Sequence, residues 1–215
     1  MPRHARVEPS AAATTITVTD DGTATGTATI AHDRHDPESW GVATEQALAD
    51  ASGGVAELHE IAVVAVAGVV VLDADRRPVW VGHPGDVDAA PDAGWLATQL
   101  PDGVEGWTAA IGRAPRADDA ISVLSWLHRS EPEVWARLAH VVSPSGWVLA
   151  HLTGRLATWP ADLASTGWWS PGEQRARVDL LAVVDRDRDW TAVLPAPLAA
   201  GEPAGTWHGA AVVAG

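Results

Sequence analysis

Nine histidines and 28 acidic residues make up most of the chain's stock of groups for acid–base or metal chemistry. His32-Asp33-Arg34-His35-Asp36 is the one tight cluster of both types. Divalent sites take three or four such ligands, commonly as two pairs at short spacing. No second pair accompanies this one, so the pentad reads as half a metal site or as a polar loop leading into a helix, and we expect neither metal nor cofactor. Ser143, Ser145, Ser165 and Ser170 stand outside any Gly-x-Ser-x-Gly elbow, the strained turn that exposes a nucleophilic serine. Gly22 to Gly26 and Gly53-Gly54 match neither a Walker loop nor a dinucleotide fingerprint and read as turns. Trp168-Trp169, beside Gly167, could stack on a sugar ring or fill a core, since tryptophan has an apolar body and one N–H to satisfy.

Composition narrows the chemistry further. All 14 basic residues are arginine, and Lys, Asn, Cys, Phe and Tyr are absent, a choice of residue types shaped by a GC-rich coding sequence. The chain therefore has no phosphate-cradling or Schiff-base lysine, no thiolate nucleophile, no disulfide and no cysteine metal site. A net charge of −14 argues against nucleic acid, whose backbone is held by clustered Lys and Arg. With 215 residues, 47% of them apolar, the chain can bury one sizeable core and reads as one domain, two at most. Met1 to Arg6 is basic but lacks the apolar run of a signal peptide, so the expected location is cytoplasmic. The most apolar segment, Ile61 to Leu72, has 12 residues, short of the ~20 that span a bilayer, and no membrane partner is expected.

The elements that must position these groups are legible in part. Thr14 to Thr19 and Thr23 to Ile30 alternate around Asp20-Asp21-Gly22, which predicts a tight hairpin. Asp36 is an N-cap with Pro37 at the first helical position, and Trp40, Ala43, Ala47, Leu48 and Ala51 share one helical face up to Gly53-Gly54. Ile61 to Val66 reads as a strand covered on both faces, and Val69 to Leu72 with Val79 to Val81 as a hairpin across Asp73 to Arg77. A loop over Gly82 to Asp92 precedes a short helix over Ala93 to Leu100. Ile121, Leu124, Leu127, Val134, Trp135, Leu138, Val141 and Val142 form an apolar helical stripe interrupted near Pro132. The alternating charges of Asp185 to Trp190 read as a solvated face, and Gly209 to Ala214 as a last strand. Hairpin, helix and buried strand together predict an α/β fold, a mixed β-sheet with helices packed on it.

Six segments in order carry a family resemblance: Asp36-Pro37-Glu38-Ser39-Trp40, Val71 to Asp75, Ala90 to Leu96, Glu131 to Trp135, Leu152-Thr153-Gly154 and Ser165 to Pro171. At these residues the chain resembles the first domain of FGGY-type carbohydrate kinases, the xylulokinase branch most closely. The resemblance implies a ribonuclease-H-like, actin-like ATPase domain over residues 1–215. It also implies positions where the chemistry should sit. Phosphoryl transfer needs phosphates held by backbone amides and a cation, a Mg²⁺, and a base for the hydroxyl proton. The family's Asp-x-Gly-Thr phosphate loop corresponds here to Val7 to Thr14, which has no glycine or lysine; Pro9 removes an amide, and only Glu8 could stand in as a carboxylate. The Gln-x-His-Gly sugar segment is missing where Ala67-Gly68 runs into Val69. Of the sugar-facing Trp-x-Asp-x-Arg loop, Asp86 remains in Pro84 to Asp88, with His83 nearby. Asp162 matches a family aspartate near the Ser-Thr-Gly turn, or is a turn carboxylate.

The family's general-base aspartate and its ATP-holding domain follow a strand like Ala210 to Gly215, where this sequence ends, so the nucleotide-binding domain is expected to be absent. These losses imply no catalytic residues and a catalytically inactive, kinase-like protein; were it active, it would be a carbohydrate kinase. The cleft face that a second domain covers in such kinases, typically ~600 to 1,500 Å², must then be polar or covered by a partner. We expect a homodimer or a complex with another protein such as a full-length kinase. The alternatives are a sugar- or small-molecule-binding protein using His83, Asp86, Asp162 and Trp168, and a split kinase with its ATP domain on another chain.

Overall fold

A computed structural model describes residues 2–53, 58–199 and 201–215, so Met1 and Gly54, both invoked in reading the sequence, lie outside the described residues. The first part of the chain forms strands β1 (Arg3–Pro9), β2 (Ala13–Asp20) and β3 (Thr23–Ala31), helix α1 (Pro37–Ser52) and strand β4 (Leu58–Val63). Strands β5 (Val69–Leu72) and β6 (Pro78–Gly82) lead into helices α2 (Ala90–Leu96), α3 (Val104–Ile111), α4 (Ala120–Ser130) and α5 (Pro132–Arg137). Then come β7 (His140–Val142), α6 (Pro144–Thr153), β8 (Ala157–Thr158), α7 (Pro160–Leu163), β9 (Trp169–Ser170), β10 (Arg175–Ala176), α8 (Val178–Val184) and α9 (Trp190–Val193). Strands β11 (Ala196–Pro197), β12 (Gly205–Trp207) and β13 (Ala210–Ala214) close the chain. These elements fall into two compact units, the first from Met1–Val66, Val142–Trp159 and Ala196–Gly215, the second from Ala67–Val141 and Pro160–Pro195.

The first unit is built on a six-stranded mixed sheet in the order β12-β13-β4-β1-β2-β3. β4 runs parallel to both β1 and β13, and the remaining pairs are antiparallel. The β2–β3 hairpin closes at Asp20 opposite Thr23, with Asp21 at φ 48° and Gly22 at φ 79°, the backbone that a two-residue hairpin turn requires. Helix α1 begins where Asp36 accepts the Glu38 amide at 3.1 Å and ends at Gly53, and its buried face of Trp40, Ala43, Ala47 and Leu48 packs on the sheet. It crosses α6 at Gly41, where a Cβ would lie 2.4 Å from the His151 ring, so only glycine allows that approach. Trp40 and Trp147 meet edge to face across the same contact.

The second unit packs α2 to α5 and α8 around Trp107, Ile121, Leu124, Trp168, Leu180 and Leu181, with β5 between β6 and β7. Four readings need correction. Val141 and Val142 belong to β7 and not to a helical stripe, because Leu138 leaves helical geometry after α5 and a three-residue strand follows. β4 covers Leu58–Val63 and not Ile61 to Val66: the Val64 amide makes the last ladder bond, to Val7 O, and the Val66 amide turns away to Ser145 Oγ. The short helix is Ala90–Leu96, starting at its own proline, with α3 an additional element. Asp185 to Trp190 is only in part a solvated face: Arg186, Asp187 and Asp189 are exposed, but Arg188 donates to the carbonyls of Leu138 and Trp135 at 2.7 and 3.1 Å and lies 4.7 Å over the Trp135 ring. The open carbonyls at a helix C-terminus attract just such a cation.

Candidate functional site

His83 and Asp86 close one loop on themselves. The Asp86 carboxylate accepts the His83 amide at 2.7 Å, and the Asp86 amide returns to the His83 carbonyl at 3.0 Å. This is the local geometry by which a short acidic side chain stabilises a turn. His83 is buried and the Asp86 residue is exposed, so the loop holds a histidine inside and an acid at its tip.

Asp162 is buried in the single-turn helix α7, three residues ahead of Ser165-Thr166-Gly167. That turn is seated on the start of α4: the Ile121 amide donates to Thr166 O at 2.9 Å, and Thr166 Oγ1 donates to Leu163 O at 2.6 Å. Gly167 has φ +81°, and a Cβ there would sit 2.6 Å from Ile121 Cγ2, so both conformation and space demand glycine. Trp168 follows directly and is 3% exposed, inside the core of the second unit, with its Nε1 buried and unpartnered. Burial removes both faces of the ring from any stacking ligand.

The turn matched to the phosphate loop, between β1 and β2, is closed as well. Ser10 Oγ accepts the amides of Ala13 and Ala12 at 3.1 and 3.4 Å and donates to Ala13 O at 2.7 Å, while the Ser10 amide donates to Ala13 O at 2.9 Å. Donors that could cradle a phosphate are thus directed at a hydroxyl of the turn itself. Glu8 lies in β1 opposite Thr15 and pairs with Arg6 at 3.1 Å. The His32 to Asp36 pentad is bonded locally into the entrance of α1: Asp33 Oδ1 accepts the His35 amide at 2.8 Å, and Asp33 O accepts Trp40 Nε1 at 2.7 Å. Among the described residues no group of three or more His, Asp or Glu is placed to hold a metal, and no helix is long and apolar enough to cross a membrane.

A groove of about 670 Å³ in the second unit, which the sequence reading missed, is lined by Asp92, Trp95, Arg129, Asp185 and Asp187 among others. None of His83, Asp86, Asp162 or Trp168 lines it. Asp92 is buried and accepts Ser125 Oγ at 3.0 Å and Arg129 Nη2 at 2.9 Å, so its carboxylate ties α2 to α4. The available signal was helical: Ser125 and Arg129 are one turn apart on α4, a spacing that puts both side chains on one face.

Burial pushes the Asp185 carboxyl up, but hydrogen bonds from the Asp187 amide and the Trp135 indole, with Arg188 and His128 nearby, leave it below the ordinary 3.8. Asp179 is also lowered, first by its hydrogen bonds from Arg177. A carboxyl lowered in the folded state adds stability that is complete above its unfolded value and lost as pH falls through the folded one. Urea midpoints should therefore hold steady above the ordinary value of 3.8 and decline below it. Asp185→Asn should flatten that acid limb; an unchanged limb in the variant would remove Asp185 from the account.

A mixed sheet with its central strands parallel, an antiparallel β1–β3 meander and helices packed on it is the actin-like ATPase fold of the sugar kinases. No family model matches the chain. Its sequence is 26% identical to the xylulose kinase of Escherichia coli K12 over 161 residues, 72% of this chain and 32% of that protein. The fold superposes on xylulose kinase from Bifidobacterium adolescentis with a TM-score of 0.84 at 22% identity, over 94% of this chain and 48% of that one. Gluconate kinase from Lactobacillus acidophilus matches with a TM-score of 0.83 at 14% identity, over 100% and 47%. The chain is FGGY-kinase-like, and it spans about a third to a half of the length of these three relatives.

Proposed function

We propose that this chain is a catalytically silent sugar-kinase-like protein that works by association, as a homodimer or with a partner such as a full-length kinase. The observation that carries the silent part is the Ser10 turn. It has neither glycine nor lysine, Pro9 removes one amide, and Ser10 Oγ takes the Ala12 and Ala13 amides. A phosphate would have to displace those bonds without a cation to attract it. The self-closed His83–Asp86 loop supports the same reading, and the burial of Trp168 weakens the alternative of sugar binding through these residues. A split kinase would inherit the same closed turn whatever chain supplied its nucleotide site. The association part rests on the physical need to cover or solvate the face that a second kinase domain would otherwise occupy.

The test measures ADP release with ATP–Mg²⁺ and a panel of pentoses, ketoses and pentitols, and solution mass on the same sample. No sugar-dependent ADP above the blank, with a mass of at least two chains, is the expected result. Sugar-dependent turnover would overturn the silent reading, and a strict monomer at all concentrations would overturn the homodimer.

A further inference from the structure

We infer that two copies of this chain pair through the outer edge of β3, antiparallel about a two-fold axis at Ala28; this rests on the homodimer reading above. β3 ends the six-stranded sheet, and among the described residues no strand pairs with its other edge. Its nine residues, Thr-Ala-Thr-Gly-Thr-Ala-Thr-Ile-Ala, include no charge and no proline. Soluble proteins guard such edges with lysine, proline or shortness, because a row of open N–H and C=O groups is a template for another strand. The opposite edge, β12, is guarded by having only three residues. In a chain where 20% of residues are charged and the net charge is −14, a long neutral edge is a place where two copies can meet with little repulsion.

The edge is also complementary to itself. The hairpin carries an irregularity between Val18 and Thr19 that leaves Thr25 out of register, so the regular part is Gly26 to Ala31. A two-fold at Ala28 sets Thr27 opposite Thr29 twice, Gly26 opposite Ile30 twice, and Ala28 opposite itself. Thr27 and Thr29 are on the exposed face, where cross-strand threonine pairs are favourable. Such a ladder already exists one strand inward: Thr17 pairs with Thr27 and Thr15 with Thr29, the latter joined by an Oγ1–Oγ1 hydrogen bond of 3.0 Å. The second copy would continue it on the exposed face, while Gly26 lies on the other face beneath Ala51 of α1.

The chain has no cysteine, so one introduced thiol reports alone. Directly opposite antiparallel residues have Cα atoms roughly 4.5 to 5.5 Å apart, within disulfide range. Ala28→Cys should therefore cross-link on mild oxidation, with at least several-fold more covalent dimer than the Thr23→Cys control. The Thr27→Lys, Thr29→Lys double variant, at exposed positions, should halve the solution mass with its circular dichroism unchanged. A dimer that survives both lysines and does not cross-link at residue 28 would overturn this edge while leaving association intact. A wild-type chain that is monomeric throughout would overturn both this edge and the homodimer.

Discussion

Trp168→Ala should lower stability to urea by about 4 kcal/mol, at the level of a large aromatic removed from a packed core. The ring is 3% exposed, among the buried residues that include Trp107, Ile121, Leu124 and Leu180, so its removal leaves a void that α3, α4 and α8 cannot fill together without moving. Trp168→Phe should cost far less. It keeps most of the apolar volume, and the N–H it deletes has no partner to lose. The pair of variants separates packing from recognition. If Trp168 were a platform for a sugar, alanine would change ligand response and leave stability within about 0.5 kcal/mol, as surface substitutions do. That outcome would contradict the core assignment.

Asp119→Ala should be nearly as severe, costing about 3 kcal/mol, because it strands a largely buried cation. The Asp119 side chain is 4% exposed and Arg113 26%. Arg113 grips both carboxylate oxygens, with Nη2 to Oδ1 at 2.6 Å, and the Arg116 amide adds a third bond at 2.8 Å. Asp119 precedes α4 without a side-chain bond to the helix's first amides and lies beneath Gly167, so the pair ties the Arg113 to Arg116 loop down beside the Ser-Thr-Gly turn. Arg113→Ala should cost a similar amount, and the double variant clearly less than the two together, since residues in one network do not act additively. Additive losses in urea unfolding would mean that the pair does not act as a unit.

Both sites show why parts of this molecule are legible in its sequence and others are not. Local chemistry reads well. Asp36-Pro37 specifies a helix start through one cap and one fixed φ, Asp21-Gly22 specifies a hairpin through two positive φ values, and His83 and Asp86 meet because they are three residues apart. β1 is harder, because Ala5 and Val7 are its only buried apolar residues before Pro9 and its support comes from β2 and β4. Val141-Val142 is ambiguous for the opposite reason, since a short apolar run fits a helix end or a strand equally well until its neighbours are known. The Asp92 to Arg129 tie joins residues 37 apart, and the Arg188 clasp reaches back about 50 residues, so no local spacing links either pair of partners, and only the Ser125–Arg129 helical step marks one side of the first. The six family-like segments carry the fold across these gaps, as the overlap with the xylulose kinases shows. The Ser10 to Ala13 turn lies outside all six, and its Ala12 and Ala13 amides go to the Ser10 hydroxyl.

The measurement that bears most directly on this is the unfolding midpoint of the purified chain with and without ATP–Mg²⁺, alone and with each sugar. A ligand at 100 times its dissociation constant would add about 2.7 kcal/mol of stability. The closed turn predicts no shift with ATP–Mg²⁺ in any combination. A rise that grows with nucleotide concentration would show that the turn opens for phosphate, and would contradict the silent reading.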